Sequence, residues 1–202
     1  MEVCIMMEIS KEWGNPEEEP MLFAGCDPGV YSTTIAVVNS CSELVAYHQI
    51  YASEDEYPRT PNKDRKKGQR YFDPIPEQIA EDHIKFIDMV FSKYKILGLA
   101  TEKMEWSAKH SDTQGWVHHF RGILHACCMK SEVPFYMINP QQIKKVVTGN
   151  GNASKDAVVI SVYNQFKDKF PNFSFLSKQN HIADAIGAGL FLVQDQIGYI
   201  EE

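Results

Sequence analysis

Apolar and polar positions alternate in short blocks over the first quarter of the chain. After a stretch ending at Pro20, three apolar runs at 21–26, 33–39 and 44–52 are separated by "DPGVYS" and "SCSE". Both separators are rich in turn formers, so the pattern predicts a three-strand meander. Residues 53–74 lose the alternation; Pro58, Pro61, Pro74 and the basic run "KDRKKGQR" (63–70) predict a loop. From Pro76, a good first-turn residue, the period changes: Ala80, Ile84, Ile87 and Phe91 recur at offsets 0, 4, 7 and 11, one face of a helix. "ILGLATE" (96–102) then reads as a buried strand, and Trp116, Phe120, Ile123 and Cys127 repeat the helical offsets. "PFYMI" (134–138) is a short strand. Asn139, Pro140 and Gln142 form an N-cap, first-turn and third-position set opening a short helix to about Val147. "TGNGNAS" interrupts it, and further helices are predicted from Lys155 to Phe170 and from about Asn180 to Ile197. The order is βββαβαβ followed by helices, a mixed α/β arrangement without internal repeats.

Composition narrows the reading. With 202 residues and 44% hydrophobic content, the chain supports one substantial core. The formal charge of −7 argues against a nucleic-acid partner until its placement is considered. Residues 1–20 hold six Glu (2, 8, 12, 17, 18 and 19) against one Lys, a net of −5, which leaves −2 for residues 21–202. An acidic extension, expected to be disordered or loosely attached, therefore precedes a nearly neutral body in which local patches decide binding. Five cysteines (4, 26, 41, 127 and 128) without Cys-x-x-Cys spacing disfavour a disulfide framework and a zinc ribbon. No apolar run is long enough to span a membrane, and the N-terminus is acidic where a leader would be basic, so a cytoplasmic location is expected.

Acidic residues at the ends of apolar strands change the picture. Asp27 closes the first run and Glu102 the fourth, and carboxylates there are costly to desolvate unless paired or holding a metal. On local grounds alone a turn is the favoured reading of Asp27, because Asp-Pro-Gly is good turn chemistry. Glu105 rivals Glu102. In "HIADAIGAGL" (181–190), His181 and Asp184 stand three apart on one helical face, while Ile182, Ala185, Ile186 and Gly189 offer a small apolar surface for close packing on a sheet. Were the first and fourth strands neighbours, three carboxylates and an imidazole would meet, and a divalent metal site would relieve their repulsion.

In this order the residues resemble a known family. "GCDPGVYSTTIAVV" looks like the first hairpin of the RuvC-type Holliday junction resolvases, and "ATEKMEWSAKH" resembles their second acidic motif. "INPQQIKKVVTGNGNASKDAV" is similar to their Pro-led helix, Thr-Gly-Asn-Gly turn and following helix, and "HIADAIGAGL" to their closing segment in the variant with His first. The likeness spans about residues 21–195. It implies an RNase H-like fold, a five-stranded mixed sheet with helices on both faces, and a nuclease domain over 21–202. It also implies a homodimer that makes paired nicks across four-way DNA junctions, leaving 5′ phosphates. On this resemblance Asp27, Glu102, His181 and Asp184 fall on the catalytic, metal-binding positions, with two Mg²⁺ or Mn²⁺ ions per site. Neutral imidazole suits Mn²⁺ better than Mg²⁺.

For DNA contact the resemblance offers Trp106 as the aromatic after the second acidic motif, shifted by one inserted residue. Lys109, Arg121, Lys144, Lys145 and Lys155 are candidate phosphate contacts, with backbone amides at Gly149, Asn150 and Gly151. Lys63, Arg65, Lys66 and Lys67 of the basic loop join them. Solvated surface is the plainer reading of each. The acidic tail and long basic loop depart from the bacterial pattern and would suit a viral or phage member, acting in the host cytoplasm. Three rivals stand beside the resolvase: a two-metal nuclease for flaps or other branched DNA, an inactive junction-binding protein, and an actin-type ATPase, for which the chain is too short.

Overall fold

The computed structural model describes residues 7–8, 20–29, 32–51, 77–103 and 111–198. Its strands are β1 (Met7–Glu8), β2 (Leu22–Asp27), β3 (Ser32–Asn39), β4 (Leu44–Tyr51), β5 (Ile96–Glu102) and β6 (Phe135–Ile138). They form one sheet in the order β1-β4-β3-β2-β5-β6. The meander β2–β3–β4 is antiparallel, and β5 and β6 add to it in parallel, so the first and fourth expected strands are indeed neighbours. The five expected strands are all present. The two-residue β1 is an addition: it pairs antiparallel with Tyr47 and Ala46 at the sheet edge, so part of the acidic extension joins the sheet.

Among the described residues six α-helices follow: α1 (Glu77–Lys93), α2 (Ser111–Lys130), α3 (Pro140–Thr148), α4 (Lys155–Gln165), α5 (Phe173–Lys178) and α6 (Asn180–Gly198). Strand alternation sorts the side chains into two cores. Ala24, Cys26, Ile35, Val37 and Leu99 pack under α1 and α2 with Phe86, Ile87, Val90 and Leu124. Phe23, Ala36, Val38, Tyr47 and Ala100 pack on the opposite face with Ile143, Val159, Ile182 and Ile186 from α3, α4 and α6. Ile182 and Ile186 are fully buried, each contributing about 1.5–3 kcal/mol of apolar burial.

Two details differ from the sequence expectation. The buried stripe of α1 is Ile79, His83, Phe86, Ile87 and Val90, and Ile84 is exposed. Counting His83 as polar turned the predicted face, yet its Nδ1 lies 2.8 Å from the Ile79 carbonyl and its ring packs on Phe120, which makes it a core residue. Second, α4 ends at Gln165, a 3₁₀ turn (Lys167–Lys169) follows, and Asn172 then caps α5 by accepting from the Phe175 amide at 2.9 Å. The α3 opening, by contrast, is as expected: Asn139 is the N-cap, Pro140 the first helical residue, and Gln142 Oε1 accepts from the Asn139 amide at 3.4 Å.

Candidate active site

The register of the sheet builds the site before any helix is added. Gly25 pairs with Ala100 and Cys26 with Thr101, which carries Asp27 abreast of Glu102 at the C-terminal ends of two parallel strands. On the other side Asp27 pairs with Thr34, and Thr34 with Gln49. Period-two alternation sets Asp27, Glu102, Thr34, Gln49 and Tyr51 on the same face, the one covered by α6.

Glycine then decides how close α6 can come. A Cβ on Gly25 would stand 1.9 Å from the Ala185 carbonyl oxygen and 2.3 Å from the Gly189 nitrogen, so helix backbone rests directly on strand backbone. Gly187 plays the same part toward α3, where a Cβ would meet Ile143 at 2.8 Å. This approach brings Asp184, in the first turns of α6, within electrostatic reach of Asp27 and Glu102 at the ends of β2 and β5, and His181 lies beside Asp184.

The three expected carboxylates thus come within electrostatic reach of one another, with His181 beside Asp184, and the electrostatics follow from crowding. Burial pushes the Asp27 carboxyl up to about 7, and the Asp184 and Glu102 carboxylates push in the same direction against Lys155 and Arg121. Glu102 is raised by burial and by Asp184. His181 is lowered by burial, with Asp184 opposing, so its imidazole is neutral at neutral pH. Lys155, at the first position of α4, reaches Asp184 with Nζ 3.0 Å from Oδ2. Its helix begins at Ser154, whose Oγ accepts from the Ala157 amide at 3.2 Å.

Among the described residues, no three His, Cys, Asp or Glu side chains converge into a ready metal cage. The donor set nevertheless fits a hard divalent cation: three carboxylates that repel one another and a neutral imidazole, with an ammonium already drawn onto one carboxylate. Asp27, Glu102, Asp184 and His181 are the groups that would hold it.

Other candidates fall in different places. Arg121 is a correction: it is only 7% exposed, so it is no surface phosphate contact. From α2 its Nη2 donates to the Glu102 carbonyl oxygen, and burial lowers its pKa while Glu102 and Asp27 support the charge. Lys144 is half-buried and near enough to Glu102 to stabilise its carboxylate, whereas Lys145 is exposed. In the Thr-Gly-Asn-Gly turn, Gly149 adopts φ 76° and its amide donates to the Lys145 carbonyl at 2.8 Å. The Asn150 amide donates to Thr148 Oγ1 at 3.2 Å, so these two amides are occupied within the turn rather than open to phosphate. Gly151 lies against α3, where a Cβ would meet the Gln141 carbonyl at 3.0 Å. Lys63, Arg65, Lys66, Lys67, Glu105, Trp106 and Lys109 lie outside the described residues.

Sequence reasoning missed Thr34, Gln49, Tyr51 and Gln179. Gln49 Nε2 donates to Thr34 Oγ1 at 2.9 Å in the interior, and the Tyr51 hydroxyl contacts Gln179 and His181. The available signal was Tyr47, Gln49 and Tyr51 at alternate positions of one strand, which places a polar group on a face that must be buried.

A meander continued by parallel strands, with helices on both faces, is the ribonuclease H-like fold. Within that fold the comparisons are specific. The model of the family described as Crossover junction endodeoxyribonuclease RuvC matches residues 69–190. A crossover junction endodeoxyribonuclease RuvC of Rhodopirellula baltica is 26% identical over 82% of this chain and 82% of its own length. That of Petrotoga mobilis is 30% identical over 68% of this chain and 75% of its own length. The structure of Thermus thermophilus RuvC in complex with Holliday junction substrate matches 88% of this chain and 96% of that one, with a TM-score of 0.64 at 19% identity, a likeness of fold. The chain belongs to the RuvC family of crossover junction endodeoxyribonucleases. No helix among the described residues is long and apolar enough to cross a membrane.

Proposed function

We propose that this chain resolves four-way DNA junctions by paired, metal-dependent phosphodiester hydrolysis that leaves 5′ phosphates, working as a homodimer with one site per subunit. The observation that carries the reading is that Asp27, Glu102 and Asp184 lie within electrostatic reach of one another at two adjacent strand ends, with His181 beside Asp184, in a chain of this family. Asp27, Glu102, Asp184 and His181 would hold the two Mg²⁺ or Mn²⁺ ions. Such ions, when bound, neutralise charge developing on the phosphate and the leaving oxygen. The neutral imidazole of His181 offers a lone pair for a cation or for a proton from the attacking water. Lys155 is positioned to exchange its carboxylate partner for a substrate phosphate, since its side chain is 55% exposed and lies beside Asp184. Arg121 holds the Glu102 carbonyl and so the direction in which β5 ends.

The test is incubation of purified protein with mobile four-way junctions, linear duplex and flap DNA in Mg²⁺ or Mn²⁺, beside Asp27→Asn. Symmetric nicks on opposing junction strands, absent in the variant, are expected. Cutting confined to flaps or duplex would keep the chemistry and overturn the substrate. Tight junction binding without any cutting would leave a structural, junction-binding protein.

A further inference from the structure

The hydroxyl of Tyr51, at the end of β4, lies between two residues that flank the start of α6. It contacts Gln179 Oε1 on one side and His181 Nε2, at 3.3 Å, on the other. The Tyr51 and His181 rings meet edge-on, with centroids 6.2 Å apart and planes at 78°. All three side chains are partly or wholly withdrawn from solvent, and Gln49, buried on the same strand face, adjoins the same hydroxyl.

Proton counting decides the direction of these bonds. A phenol has one proton to give and a neutral imidazole has one N–H. The side-chain oxygen of Gln179 is an acceptor only, so the Tyr51 proton goes there. The phenolic oxygen can then meet His181 Nε2 only as an acceptor, which requires the imidazole proton on Nε2. Nδ1 is left with the lone pair.

We propose that Tyr51, oriented by Gln179, is a positioning residue that locks His181 in the Nε2–H tautomer and thereby presents Nδ1 as the ligand or base. The chain of contacts runs from Gln179 through Tyr51 to His181 and joins the edge of the meander to the first turn of α6. A ligating histidine is commonly fixed through its other ring nitrogen, and loss of such a partner typically weakens metal binding about 10–100-fold. This inference rests on the proposed metal-binding role of His181, and the experiment separates the two.

The measurement uses the full-length protein labelled with ¹⁵N-histidine and freed of metal, recorded above the imidazole pKa. Wild type, Tyr51→Phe, Gln179→Leu and His181→Ala are compared by long-range ¹H–¹⁵N correlation, then titrated with Mn²⁺ by electron paramagnetic resonance. The proposal expects a solvent-protected Hε2 proton on His181 in the wild type. Tyr51→Phe should lose that protection and bind Mn²⁺ about 10-fold more weakly or worse, approaching His181→Ala. Gln179→Leu should free the phenol to donate and admit the Nδ1–H form, with Tyr51 still in place. A wild-type proton on Nδ1, which would follow from a reversed Gln179 amide, overturns the relay whatever the Mn²⁺ titration gives. Unchanged protection in Tyr51→Phe overturns it as well. The expected tautomer together with wild-type Mn²⁺ affinity in His181→Ala would instead overturn the ligand role of His181, and with it the purpose assigned to Tyr51.

Discussion

Gly25→Ala is the sharpest single test of how this site is assembled. The added Cβ would stand 1.9 Å from the Ala185 carbonyl oxygen and 2.3 Å from the Gly189 nitrogen, where ordinary contact begins at 3.4 Å. Both obstacles are backbone atoms, so no rotamer can yield, and α6 must retreat by roughly 1.5 Å or β2 must bend by as much. Overpacking of this kind costs about 1–3 kcal/mol, and the upper end applies where only backbone can move. For a chain of this size that lowers the melting temperature by about 6–12 °C. Asp184 is adjacent to Ala185, so the same retreat draws a proposed ligand away from Asp27. A misplacement of about 1 Å can cost about 100-fold in rate. The assay is single-turnover cleavage of a labelled junction beside a thermal melt and a junction-binding titration. Binding should stay near wild type while the cleavage rate falls about 100-fold. Gly122→Ala in α2 is the control, because its Cβ meets nothing within 4 Å and helix propensity favours alanine by about 1 kcal/mol. Wild-type melting temperature and rate in Gly25→Ala would refute the claim that direct backbone contact between β2 and α6 sets the site.

Other perturbations test the electrostatics. Asp27→Asn should abolish cleavage yet raise the melting temperature of the metal-free protein at neutral pH, since it removes a carboxylate crowded by Asp184 and Glu102; a lower melting temperature would contradict this. The Asp27 carboxyl, at about 7 when folded against 3.8 ordinarily, keeps a proton that the unfolded chain has lost between those values. Stability of the metal-free protein should therefore fall as pH rises through that window, against the pull of Lys155 and Arg121, and Asp27→Asn should flatten the slope in a pH series of melts. Arg121→Met should destabilise the protein by about 1.5–3 kcal/mol by leaving the Glu102 carbonyl without its charged donor, with junction affinity unchanged; weakened binding in a folded variant would restore Arg121 as a phosphate contact. Chelation of divalent ions should stop cleavage and leave junction binding measurable, with activity returning on addition of Mg²⁺ or Mn²⁺; cleavage that persists in chelator would refute metal dependence.

The strands, and the three carboxylates and one imidazole as candidates, were legible because they rest on local pattern. Asp27 and Glu102 each interrupt an apolar run at its end, and His181 and Asp184 share a helical face whatever surrounds them. What stayed hidden depends on partners distant in sequence. Arg121 reads as one more basic residue on a helix until packing aims it at the end of β5. His83 looks polar until the Ile79 carbonyl, 2.8 Å from its Nδ1, and the Phe120 ring against it show that it belongs to the core. Tyr51 and Gln179 are 128 positions apart, and no spacing rule joins them. The Thr-Gly-Asn-Gly turn was visible as a turn, but its internal hydrogen bonds at Gly149 and Asn150, which occupy amides that sequence reasoning had offered to phosphate, were not.

The arrangement explains why so many polar groups lie on a face that must also carry a core. From Phe23 to Asp27 the α6 side of β2 passes from apolar to charged within five residues, and β3 and β4 make the same passage, from Val38 to Thr34 and from Tyr47 to Gln49 and Tyr51. Apolar packing at one end of the sheet holds α6 down, and the glycine contacts in the middle set its height. The helix start is thereby pressed against a row of carboxylates that would separate if left to themselves. Burial of Ile182 and Ile186 just beyond His181 and Asp184 offsets that repulsion locally, since each buried side chain contributes about 1.5–3 kcal/mol, comparable with the cost of keeping one carboxylate desolvated beside another. The site is thus held together by its neighbours in the core rather than by its own charges, which is why removing a charge should stabilise the metal-free fold while thickening the glycine contact should not.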